Sequence, residues 1–413
     1  MKLDRQRWRW SVACLLAIVA AFFLLALNES WWGRVGVFHL RPYFADTAAI
    51  LAAGEAQQAG RDAYLPNPFD PFGRPHVYGP WWLVTGKLGL TTADTWWVGA
   101  ALSLATVIAM LVLLAPRHAA DAGGVLLLLL SPPVLLGLER GNNDLMIFLL
   151  LAAGTAWLAR SSRAAGVAGS ATLVLAAVLK FYPLAALAAV LGRRERFPRV
   201  AALGLGAVAV FAALWWVQRD GFFRALALAP RPDSIYAYGI RIFSLTWTHA
   251  GGARGWLLAG FALGAGAALA VLWRGRGALT RAIPDEGPHA LAAVAGGACW
   301  LFCYLANNNY SYRAVLLLLV APVWLALARR TEATERALGR GSCLLLLVTL
   351  WVFMPKTFAI ELMRAGGGAA VERWRWVLFV SGVEQMLILG LSVALAISLV
   401  GWAARRAAFF RSE

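Results

Sequence analysis

The chain has 413 residues, 61% of them hydrophobic and only 14% charged, with a formal net charge of +17. Soluble domains run about 45–50% apolar and about 25% charged, which excludes a soluble domain carrying a single anchor. The basic residues sit in short loops between apolar blocks, the pattern that membrane topology requires and not a nucleic-acid footprint, so no nucleic-acid partner is expected.

In chain order, apolar blocks recur at roughly the length that crosses a bilayer, about 20 residues for a helix. The first, 8–27, follows a basic N-terminus like a signal peptide, yet no small-residue cleavage site follows Leu27, so a retained first helix is expected. Further predicted spans are 96–115, 122–138, 145–159, 164–179, 181–191, 198–217, 255–273, 289–305, 313–328, 341–354 and 374–402. The expected fold is a single all-α integral membrane domain over 1–413, of about twelve transmembrane or half-spanning helices. Its largest extramembrane pieces are 28–95, with a short helical stretch at 46–58, and 218–254.

The segment 164–191 admits two readings, one long helix through Lys180 or a hairpin with Lys180 at its apex. The hairpin puts 1–9, 116–121, 159–164, 192–199, 274–288, 329–341 and 403–413 on one side, with more than half of the 38 Lys and Arg residues. The single helix inverts every later loop and sends Arg329, Arg330, Arg336 and Arg340 outside. The positive-inside bias favours the hairpin and cytoplasmic termini. Pro183 suits such a turn, and broken helices at depth usually line a cavity. Tryptophan pairs such as Trp31-Trp32, Trp81-Trp82 and Trp215-Trp216 fall near span ends, as interfacial anchors do.

With that orientation the polar clusters share the external side. They are Asp46; Glu139 to Asp144, reading ERGNND; Lys180 in LKFYPL; Tyr236, Tyr238 and Arg241; Asn307 to Arg313, reading NNNYSYR; and Glu361. Polar groups at membrane depth mark a site or pathway by default, and this mixture suits an anionic, hydroxyl-rich ligand. Blander roles stand beside each. Asp46 before TAAILAA reads as a helix N-cap, Asn142-Asn143 and Asn307–Asn309 as helix caps, and Lys180 and Arg313 as snorkelling interface residues. Glu384 and Gln385 lie inside the last span, for packing or for the cavity. Cys14, Cys299, Cys303 and Cys343 lie in apolar runs, as packing residues. There is no phosphate-loop motif, no H-E-x-x-H and no G-x-S-x-G, so no ATP engine or hydrolase signature is visible. D-x-D is also lacking, and a donor used on the external side has to be lipid-linked.

Asp46, then Gly60-Arg61-Asp62-Ala63-Tyr64, then Tyr78-Gly79-Pro80 resembles the first external loop of C-type (GT-C) membrane glycosyltransferases, nearest to glycosyltransferase family 87, the polyprenol-phosphate-mannose-dependent mannosyltransferases. The block 139–191, with its Gly-Asn-Asn turn and Lys-x-x-Pro, resembles the same family, as does Asn-Tyr-Ser-Tyr-Arg at 309–313. The 218–254 loop carries YAYGIRIF where the family has an Asn-x-Ser motif.

The resemblance implies a GT-C bundle with a structured first external loop and inverting hexosyl, by default mannosyl, transfer. The donor would be a polyprenyl-phosphate sugar, and the acceptor an envelope glycolipid or glycan. It casts Asp46 as general base and Lys180, Arg241 and Arg313 as donor-phosphate ligands. Asn142, Asn143, Asp144, Tyr312 and Tyr64 become sugar- or acceptor-binding residues, with Asp144 orienting Lys180 or Arg140. No metal and no separate cofactor are expected, and the membrane lipids are partners. The expected location is the plasma or inner membrane, with the active site external. A lipid or sugar transporter is the rival from another class, since broken helices and intramembrane charges are transporter features as well.

Overall fold

The computed structural model describes residues 5–230, 237–239, 242, 266, 270, 273–306, 309–355, 357 and 370–412. Among them the only strand pairing is a two-residue antiparallel ladder, Ala237 opposite Tyr310 and Tyr238 opposite Asn309. Everything else regular is helical. Among the described residues six helices are long and apolar enough to cross a membrane, so the protein is a helical multi-pass membrane protein.

The early helices are α1 (Arg5–Leu27), α2 (Ser30–Arg34), α3 (Ala45–Gln58), α4 (Val84–Lys87), α5 (Thr95–Leu114), α6 (Ala119–Leu129), α7 (Pro132–Arg140), α8 (Asn143–Leu158), α9 (Arg163–Leu179), α10 (Phe197–Val217) and α11 (Arg219–Leu228). The later ones are Pro288–Ala306, Ala321–Leu327, Ala333–Trp351 and Ala370–Ser412. The helix Pro288–Ala306 is the axis of the bundle, with 67% of its apolar window buried, against 17% for α10 and 22% for α1, which form the rim.

Three expected spans are not simple α-helices. The predicted 122–138 is the pair α6 and α7, bent by 61°. Ser131-Pro132-Pro133 lies at the break, and prolines there cannot continue the helical hydrogen bonds. The predicted 181–191 is a 3-10 helix, Tyr182–Gly192. The predicted 313–328 is a 3-10 stretch, Ser311–Leu319, followed by Ala321–Leu327. The last span runs on to Ser412, about ten residues past the expected 402. The predicted span 255–273 and most of the 218–254 loop lie outside the described residues.

The 3-10 geometry changes the reading of the hairpin. At about 2.0 Å per residue, eleven residues rise roughly 22 Å. At about 1.5 Å per residue, the 17 residues of α9 rise roughly 25 Å. The short arm is therefore nearly as deep as the long one. Its return is fixed by Arg193, which is 2% exposed. That guanidinium donates to the carbonyls of Leu158, Arg160 and Ser162 at 3.0–3.1 Å, beside the start of α9. The chain has come back to where α9 began, and Lys180 stands at the apex.

Similar contacts identify the two ends of the bundle. Arg406 donates to the Leu191 and Arg193 carbonyls, Arg405 pairs with Asp285, and Arg329 pairs with Asp121. These gather at one end with the start of α9. At the other end are the α7–α8 junction, the α9 apex, the start of the Ser311–Leu319 stretch and the 28–95 segment. That segment is fastened by Trp82 Nε1 donating to the Leu179 carbonyl at 3.2 Å and Thr47 Oγ1 to the Gly141 carbonyl at 2.7 Å.

Candidate functional site

The turn Gly141-Asn142 ends one helix and starts the next. Gly141 sits at φ +53°, and a Cβ there would come within 2.4 Å of Thr47 Oγ1, so the position requires glycine on both counts. The Asn142 amide oxygen caps α8 by accepting from the Asp144 N–H at 2.8 Å, and its nitrogen donates to Asp46 Oδ2 at 2.5 Å. One side chain therefore both caps α8, as expected, and holds Asp46.

Asp46 is not the N-cap of α3. Phe44 holds that position, in the left-handed region at φ +59°, and its N–H bonds to the Glu139 carbonyl at 2.9 Å. Asp46 lies in the first turn, where free N–H groups favour a carboxylate, and is 8% exposed. Its second partner is Arg74, at 3.5 Å. Arg74 also donates to the Ala45 carbonyl at 2.6 Å and to Asp70 at 2.9 Å.

Asp144 is fully buried and carries the other half of the network. Its Oδ1 accepts from Lys180 Nζ and from Tyr182 Oη, both at 2.6 Å, and Oδ2 lies 3.5 Å from Arg313 Nε. Arg313 also bonds to the Asn309 side chain and lies over the Tyr182 ring. Lys180 reaches the apex because its backbone is extended, at φ −143° and ψ 129°, where α9 stops. Of the two cations considered for Asp144, Lys180 is the one that pairs with it. Arg140 instead pairs with Glu139 at 2.9 Å and donates to the Phe38 carbonyl.

A cavity of about 270 Å³ opens beside Lys180 and Arg313, which both line it, together with Tyr78, Tyr182, Tyr310 and Tyr312. Its lining contains no carboxylate among the described residues, so the wall is cationic and rich in phenols. Asp46 does not line it, but the charge of Asp46 is felt at Tyr78, Tyr312 and Lys180. Burial, reinforced by the Asp46 charge, holds the Tyr78 phenol well above its usual range, which keeps Tyr78 a neutral hydrogen-bond donor. The Tyr310 and Tyr312 rings stack at 5.4 Å.

The other expected site residues divide. Asn143 is fully buried, and neither atom of its amide has a hydrogen-bond partner. Tyr64 lies apart from Asp46. Its ring packs edge-on against His76, with Arg224 over it at 4.7 Å and the Arg224–Asp62 pair alongside. A relay of rings, Tyr64, His76 and Tyr78, links it to the site. Arg241, with Tyr236, Asn307, Asn308 and Glu361, lies outside the described residues. Glu384 and Gln385 are buried.

Sequence reasoning passed over Arg74, Asp70 and Tyr182. Arg74 and Asp70 sit in the turn-rich NPFDPFGR, which reads as exposed loop, although their i,i+4 spacing was a usable signal. Tyr182 lies two residues past Lys180, and only the 3-10 turn brings both onto one carboxylate. Among the described residues, no group of three His, Cys, Asp or Glu side chains suits a metal ion. No family model, curated protein or solved structure matches this chain.

Proposed function

We propose that the protein is an inverting membrane glycosyltransferase that takes a sugar, by family default mannose, from a polyprenyl-phosphate carrier. The acceptor is a hydroxyl of an envelope glycolipid or glycan. The observation that carries this reading is the chain of contacts from Asp46 through Asn142 and Asp144 to Lys180 and Arg313. It joins a carboxylate in an extramembrane helix to a cation-walled cavity.

Each group has a physical role. A sugar hydroxyl is a weak nucleophile until a positioned carboxylate begins to take its proton, a contribution of about 10²–10⁴-fold, and Asp46 is that base. Attack from the face opposite the leaving group inverts the anomeric carbon. Polyprenyl phosphate leaves without a general acid. Lys180 and Arg313 hold its developing charge in a water-poor cavity, where such contacts are strong. Asp144 keeps both cations in place and charged. The Tyr78 and Tyr312 phenols, on the cavity wall, supply hydrogen bonds for sugar hydroxyls. The basic end of the bundle, with Arg193, Arg329, Arg330, Arg405 and Arg406, is cytoplasmic by the positive-inside bias, which makes the site external.

The test is transfer from a radiolabelled polyprenyl-phosphate sugar by the purified chain in lipid. Asp46→Asn is expected to lower turnover at least 100-fold with donor binding retained. Turnover like that of the wild type would remove Asp46 from the role. The broken helices beside the cavity also suit a lipid or sugar flippase. Movement of donor across sealed vesicles with no sugar transferred would favour that second reading.

A further inference from the structure

Phe181 directly follows Lys180 at the break between α9 and the 3-10 helix, and the two side chains leave the apex in different directions. Lys180 turns inward and is 8% exposed, whereas Phe181 turns outward and is 39% exposed. The Phe181 ring is the hub of an aromatic cluster. Its centroid lies 5.9 Å from Phe211 on α10, 5.8 Å from Phe222 on α11 and 6.0 Å from Phe302 on Pro288–Ala306.

Phe181 also lines two adjoining depressions. One is the cation-walled cavity, and the other is a shallow apolar recess formed with Trp81, Phe211, Leu214 and Trp215. α10 is mostly exposed along its apolar length, with Phe211 on its inward, buried face, so its outer face forms a flank towards hydrocarbon beside the recess. Phe223 and Leu226 extend the exposed apolar surface along α11. The two depressions meet at Phe181, which lines both, so an apolar surface runs from the cavity of Lys180 and Arg313 towards that flank.

The charge at one end and the apolar wall at the other select an amphiphile with an anionic head and a hydrocarbon tail. We infer that Phe181, with Phe211, Phe222 and Phe302, forms the lateral mouth through which the hydrocarbon chain of a lipid phosphate leaves the cavity, and that Phe181 packs on that chain and positions the phosphate against Lys180. This rests on the donor class proposed above. It adds a tail-contacting residue that sets dependence on chain length, separate from the groups that bind the head.

Binding of two probes to the full chain in nanodiscs tests it: a long-chain polyprenyl phosphate and the short, soluble dimethylallyl phosphate. Phe181→Ala is expected to weaken the long-chain probe roughly tenfold and leave the short one within about twofold. Phe181→Leu, which keeps apolar bulk, restores most of the loss. Phe211→Ala, on the rim, repeats the test if Phe181→Ala does not fold. Equal weakening of both probes, or of neither, overturns the lateral mouth while leaving the donor class standing. Failure of the wild-type chain to bind the long-chain phosphate overturns both.

Discussion

Lys180 and Asp144 form the tightest ion pair of the site, with Tyr182 on the same carboxylate oxygen. Breaking one member of a buried pair leaves the other charge uncompensated, typically at a cost of about 3–5 kcal/mol. Lys180→Ala, with Arg313 still present as a counter-charge to Asp144, is expected to leave a folded protein. Its donor affinity should fall by about tenfold or more while acceptor affinity changes little. Binding titrations with each substrate measure this, and equal losses would make Lys180 a structural pin of the hairpin apex. His76 offers a pH test on the extramembrane segment. Burial between Tyr64 and Tyr78 pulls its pKa down from 6.5 to about 4, against a smaller opposing effect of the Gly79 carbonyl. The neutral ring is the folded form, and the unfolded chain takes up the proton first. Stability is therefore complete above pH 6.5 and drains as pH falls towards 4, by up to about 3 kcal/mol. Melting curves of wild type and His76→Phe across that window should differ in slope. Parallel curves would mean that another group dominates.

At the scale of elements, the ERGNND junction shows how much of the site could be read from sequence. Five polar residues and a glycine between apolar helices announced an ending and a beginning, and Gly-Asn is a helix stop followed by a cap. That the Asn142 cap would also hold Asp46 was not legible, because the two are 96 positions apart and no local pattern encodes such a pairing. Gly141→Ala tests the junction. The new methyl group meets Thr47 and demands a left-handed alanine, so a loss of about 1–3 kcal/mol in stability is expected, with turnover falling as Asp46 loses its register with Asn142. An unchanged melting temperature and rate would show that α3 is placed by other contacts. The 3-10 segments were misread for a related reason. Tyr182–Gly192 and Ser311–Leu319 are apolar runs whose period does not separate 3-10 from α, and both are far longer than the few residues usual for 3-10. Packing against the axial helix Pro288–Ala306 selects the tighter winding, which also lets eleven residues reach nearly the depth of seventeen.

For the whole molecule, the two ends differ in chemistry: arginines capping carbonyls and pairing acids at one, the carboxylate, amide and phenol network at the other. The reading of orientation predicts opposite labelling of the ends. A single cysteine at His118→Cys should react with an impermeant thiol reagent only after permeabilisation of whole cells, and one at Phe72→Cys should react without it. The native cysteines are not exposed, so background labelling stays low. The reverse pattern would invert the topology and remove access to an external acceptor.

Composition and the spacing of apolar blocks determined by themselves that this is a helical membrane protein, and loop charge favoured, without deciding, a turn back at Lys180. Both are properties of local sequence acting against a uniform solvent, the bilayer, and need no knowledge of neighbours. Tertiary structure alone decided which polar groups meet: Arg74 with Asp46, Tyr182 and Arg313 with Asp144, and Tyr64 set aside beside His76. The pairings on Asp144 join residues far apart in sequence across the bundle, and the others fold the 28–95 segment back on itself. Burial beside a partner of opposite charge or hydrogen-bonding sense, not propensity, fixes the pairs on Asp46 and Asp144, since an uncompensated buried charge is costly.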